Sequence, residues 1–118
     1  MDYHEPVELL DEKARDIARV LHSLQEEVEA VNWYHQRVSA TRDPQVKAIL
    51  AHNRDEEIEH AVMAIEWLRR NLPAWDKELR TYLFTEGPIT NIEEEGNEDH
   101  SSISKTTSSY LSIGNMKK

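Results

Sequence analysis

The apolar positions of this chain fall on two long helical stripes. From Pro6 to about Ala40, Ile17, Val20, Leu21, Leu24, Val28, Val31, Tyr34 and Val38 recur at spacings of three and four, the period of one face of an α-helix. Pro6 fits the first turn of that helix. Asp43-Pro44 marks a second start, with Asp43 as N-cap and Pro44 at the first helical position. Val46, Ile49, Leu50, Ala61, Ala64, Trp67 and Leu68 trace another stripe, which Asn71-Leu72-Pro73 stops. A short third helix is predicted from roughly Ala74 to Phe84, closed by Gly87-Pro88. The predicted fold is therefore all-α: two long antiparallel helices plus a short C-terminal helix.

Such a hairpin would be about 50 Å long at 1.5 Å per residue. Each helix carries an apolar face, and two helices alone leave much of both in water. Dimerisation into a four-helix bundle is the expected remedy.

Beyond Pro88 the character changes. Glu93-Glu94-Glu95-Gly96-Asn97-Glu98-Asp99 is acidic and Ser101 to Ser109 is rich in Ser and Thr, which reads as a flexible linker. Apolar residues return in Leu111-Ser112-Ile113-Gly114-Asn115-Met116-Lys117-Lys118. The expected organisation is a helical domain over 1–91, a linker over 92–110 and a terminal peptide over 111–118.

Composition narrows the partners. The 118 residues suffice for one domain, and the formal net charge of −9 argues against nucleic acid or an anionic membrane as the main partner. There is no cysteine, so thiolate metal sites and disulfides are excluded. No stretch approaches ~18 consecutive apolar residues and the polar start does not resemble a signal peptide. A cytoplasmic location is expected.

Within this frame one motif carries chemistry. Glu57-x-x-His60 is weak by itself, because a chain with sixteen Glu and six His holds about one such motif by chance. Its position strengthens it. Glu27 interrupts the first stripe where an apolar residue would fit, between Leu24 and Val31. Arg42 lies in the turn, with Glu27 fifteen residues before it and Glu57 fifteen after. An antiparallel hairpin thus brings Glu27, Glu57 and His60 to one height, with Glu57 and His60 side by side.

Buried carboxylates cost several kcal/mol or more without a partner. A polar layer, a Glu–His pair with a second Glu, is one way to satisfy these groups. A metal site is the other, with hard oxygens and one imidazole suited to iron or manganese, and zinc also compatible. Di-iron carboxylate bundles use a Glu from each of two helices and a Glu-x-x-His from each of two more. This chain holds half of that set, so two chains would be needed. Glu26, Glu29, Glu56 and Glu59 flank the inward positions on what reads as a solvated face. Glu26 and Glu29 together are also a candidate cation-collecting patch. Trp33, Trp67 and Trp75 read as packing residues, and Tyr34 as a hydrogen-bond donor to a ligand carboxylate. His4, His22, His35, His52 and His100 show no ligand spacing among themselves.

Three segments carry a family resemblance. They are Glu26-Glu27-Val28-Glu29-Ala30-Val31-Asn32-Trp33-Tyr34, the run from Ala48 to His60, and Arg80-Thr81-Tyr82-Leu83-Phe84-Thr85-Glu86-Gly87-Pro88-Ile89. Together they resemble the encapsulated ferritins across most of residues 5 to 92. The resemblance implies a ferroxidase that oxidises Fe(II) with O₂ at a di-iron centre shared by two subunits, one iron per chain. It implies an annular decamer of five dimers and storage of iron by a surrounding encapsulin nanocompartment. Glu27, Glu57 and His60 would then be the iron ligands, and calcium, manganese or zinc the alternatives to iron. Glu26 and Glu29 would form an outer site for incoming metal, with Trp33 lining the approach and Tyr34 beside the centre. The terminal segment, through Leu111, Ile113, Gly114 and Met116, resembles the peptide by which cargo proteins dock inside encapsulin shells. The competing expectations are a rubrerythrin-type peroxidase, which the absence of cysteine disfavours, and a non-catalytic helical adaptor, which has no use for inward carboxylates.

Overall fold

The computed structural model describes residues 3–93. It falls into two compact units, the first ending at Trp75. Among the described residues every regular element is helical. Two long helices, α1 (Glu12–Ala40) and α2 (Pro44–Asn71), form the antiparallel pair that the stripes predict. A shorter α3 runs over Pro73–Tyr82.

The start of α1 differs from the sequence expectation. Pro6 opens only a single 3₁₀ turn, Val7–Leu9, and the chain becomes extended at Leu10. The helix proper begins where the Asp11 carboxylate accepts the Ala14 amide at 2.7 Å, satisfying a donor that the helix start would otherwise leave orphaned. At 29 residues α1 is about 43 Å long, a turn or more shorter than predicted. The Arg15 guanidinium reaches back to the Val7 carbonyl at 2.7 Å and holds the 3₁₀ turn against the helix.

The hairpin turn is as expected. The Thr41 amide donates to the Arg37 carbonyl and ends α1. Asp43 then caps α2 through the Gln45 and Val46 amides, at 2.8 and 3.1 Å, with Pro44 inside the first turn. At the far end Lys13 donates to the Asn71 side chain and lies 5.7 Å from the Trp67 ring, tying the beginning of α1 to the end of α2. The hydrogen bond from Arg69, followed by that from Arg70, holds the Glu66 carboxyl down at about 2, an i,i+3 and i,i+4 network on the last turns of α2.

In the second unit α3 stops without glycine. Phe84 takes the left-handed conformation, φ 61°, which costs a bulky L-residue strain. Thr85 Oγ1 donates to the Tyr82 carbonyl at 2.6 Å and caps the end. Gly87, at φ 88°, serves the following turn, where a positive φ suits glycine. Residues 89–93 are helical and Ile92 is buried. The rest of the expected linker and the terminal peptide, with Leu111, Ile113, Gly114 and Met116, lie outside the described residues.

Burial is the fact that bears most on function. Among the described residues only Ala61, Leu68 and Ile92 are buried apolar side chains, while Leu21, Val28, Ile49, Ile58 and Val62 stand exposed. Two helices of 29 and 28 residues cannot hide their stripes on their own.

Candidate metal centre

The antiparallel pair sets Glu27 level with Glu57 and His60, and of the three the structure brings Glu57 and His60 into contact. His60 Nδ1 lies 3.1 Å from Glu57 Oε1, the side-by-side pair that i,i+3 spacing dictates. The hydrogen bond to Glu57 raises the His60 pKa; partial desolvation opposes it, and the charges of Glu57, Glu27 and Glu59 add to the rise. The Glu27 charge acts on His60 from the opposite helix, so both helices contribute to one electrostatic environment.

Glu27 carries the unsatisfied valence. Its Oε1 is shielded from solvent and accepts no hydrogen bond. A desolvated, unpartnered carboxylate oxygen is expensive, and a cation is the partner that removes the cost. The donor set of two carboxylates and one imidazole fits iron. Among the described residues no three His, Asp or Glu side chains of one chain already converge at metal distance.

The flanking residues are placed as follows. Glu26 is exposed and pairs with His22 at 3.5 Å, and Glu29 is exposed beside it. Trp33 is exposed in the single chain and lines a shallow depression with Gln36 and Arg37. Tyr34 is half-buried, with the Arg37 guanidinium 5.3 Å from its ring centre, and it gives no hydrogen bond to Glu27 Oε1.

Two features escaped the sequence reading. His52 lies 3.4 Å from Glu56, a second His–Glu pair matching that of His22 and Glu26. His35 Nδ1 faces Arg54 Nη1 at 3.1 Å across the hairpin. The first has a signal in the sequence. The pattern His22-x-x-x-Glu26-Glu27-Val28-Glu29 recurs in α2 as His52-x-x-x-Glu56-Glu57-Ile58-Glu59. Within the copies Glu27 and Glu57 are equidistant from Arg42, so on antiparallel helices the repeat implies a local two-fold axis perpendicular to the hairpin at their height. Equivalent positions then share a side: Val28 and Ile58 on one, Glu26 and Glu56 on the other.

Comparison with known proteins bears on the fold and the family. Residues 2–86 match the EncFtn-like family. The chain is 67% identical over 93 residues to a "Ferritin-like protein" of Thermotoga maritima, covering 79% of this chain and 82% of that one. It is 62% identical over 90 residues to an "Encapsulated ferritin-like protein" of Rhodospirillum rubrum, covering 76% of this chain and 64% of that relative. A crystal structure of protein ne0167 from Nitrosomonas europaea superposes with a TM-score of 0.72 at 57% identity, covering 75% of this chain and 98% of that one. The chain belongs to the EncFtn-like family and has a ferritin-like helical fold, with the iron-related role that this family supports.

Proposed function

We propose that the chain is a ferroxidase that takes Fe(II) as substrate at a site completed by a second copy of itself. The observation that carries this reading is the shielded Glu27 Oε1, left without a partner at the height of the Glu57–His60 pair. Two copies pool four carboxylates and two imidazoles, a set suited to two iron ions, one per chain. Each Fe(II) held there gives up one electron to O₂. The residues of this chain do the rest. Glu27 and Glu57 balance the added positive charge on oxidation, and His60 offers a neutral imidazole nitrogen as ligand. Enclosure of the site between two chains limits water and strengthens these electrostatic interactions. The direct test is to supply purified protein with Fe(II) and air, where ferric absorbance should grow faster than in a protein-free control.

Glu26 and Glu29 fit a gathering role. Both are exposed, and adjacent surface carboxylates raise local cation concentration without holding an ion strongly. Replacing both with Ala is expected to slow oxidation and weaken its dependence on salt, while the inner site still fills. Loss of inner-site iron in the double variant would show that the two roles are wrongly divided.

Residues 111–118 are proposed as an address for an encapsulin shell, with storage left to that compartment. The support is their likeness to cargo peptides and the name of the Rhodospirillum rubrum relative, an encapsulated ferritin-like protein. Deleting Leu111 to Lys118 is expected to abolish co-purification with a co-expressed shell and to leave iron oxidation by the free protein unchanged. Loading that survives the deletion would move the address elsewhere in the chain.

A further inference from the structure

The two copies of the helical pattern differ at one position that bears on metal chemistry. His60 stands three residues after Glu57, and Ala30 stands three residues after Glu27. Both lie within unbroken helix, so Ala30 has the same place relative to Glu27 that His60 has relative to Glu57. Their carboxylates differ accordingly. Glu57 Oε1 is bonded by the imidazole at 3.1 Å, whereas Glu27 Oε1 accepts nothing. Ala30 is half-buried and has no polar atom to offer. The local two-fold symmetry of the hairpin is thus broken at the one residue that could add a second nitrogen ligand.

We propose that Ala30 sets the metal preference of the shared site by withholding a second imidazole from each chain. This rests on the shared-site reading above. With Ala30, two chains offer four carboxylates against two imidazoles, a hard set favouring iron or manganese. An imidazole at position 30 would make the count four and four. Nitrogen-rich sites favour zinc over ferrous iron, because zinc stands above iron in affinity and accepts softer ligands readily. A small apolar residue here keeps the site open to the weaker-binding ion that has redox chemistry.

Metal binding itself is the readout, measured by chelator competition with Zn(II) and, without oxygen, with Fe(II). Ala30→His is expected to raise the ratio of zinc to iron affinity by about tenfold, the change that a bond worth roughly 1.4 kcal/mol produces. Ala30→Cys, nearly the size of Ala and kept reduced, should shift the ratio in the same direction, and it preserves the test if the His variant fails to fold. Ala30→Ser, of similar size with a poor ligand, should leave the ratio as it is. An unchanged ratio in both the His and Cys variants overturns the proposal, as does an equal shift in the Ser variant. Failure of the underlying reading has a different signature: the native protein would bind neither ion in a way that His60→Ala weakens.

Discussion

Replacing His60 or Glu57 with Ala is expected to abolish iron oxidation and, in the same variants, to weaken iron-driven pairing of chains. The two losses are linked because one chain offers only Glu27, Glu57 and His60. Symmetry about a two-fold axis doubles those ligands, so metal that binds only the paired form favours pairing by mass action, by about 2.7 kcal/mol at a hundredfold excess over Kd. Without metal, four carboxylates meet across the same interface and repel. Added Fe(II) should therefore move the native protein from smaller to larger species, with about one inner-site iron per chain. Removing His60 takes away an imidazole and also frees Glu57 Oε1 from its 3.1 Å partner, which adds a second unpaired carboxylate to Glu27. Size-exclusion profiles with and without Fe(II), read beside ferric absorbance, measure both effects. Two irons bound tightly within an isolated single chain would falsify the shared site.

How much of this was legible in the chain depended on where each signal resides. The start of α2 was readable because Asp43 and Pro44 act locally, the first on amides two and three residues away. The start of α1 differs because Pro6 is compatible with a helix but does not require one, and the Asp11 cap governs the start instead. The end of α3 was hidden for a related reason, since the left-handed cap falls on Phe84 rather than on glycine. The Glu57–His60 contact followed from i,i+3 spacing, and the equal height of Glu27 from the antiparallel turn. The repeated His–Glu pattern was equally present in the sequence, but spacing within each histidine's own helix, rather than among histidines, was the informative measure. On the proposed reading the other half of the ligands comes from a second chain, whose placement no pattern in a single sequence shows directly.

The apolar side of the hairpin provides the second large effect. Replacing Val28 and Ile58 together with Glu is expected to leave a folded, helical single chain that neither pairs nor oxidises iron. In the hairpin these side chains are already 55% and 43% exposed, so charge there costs the isolated chain little. In a pair of hairpins the local two-fold puts both on one side, and a second two-fold brings four such residues into one interface. Burying each contributes on the order of 1.5–3 kcal/mol, and a desolvated, unpaired carboxylate in the same place costs several kcal/mol more. The four introduced charges would also lie beside Glu27 and Glu57, where like charges already repel without metal. Iron therefore cannot rescue pairing at concentrations that suffice for the native chain. Circular dichroism should show native helix content while sedimentation shows single chains with and without Fe(II). If the double variant still pairs on adding iron, the apolar side is not the surface through which two copies meet, and the acidic side bearing Glu26 and Glu56 must face the partner instead.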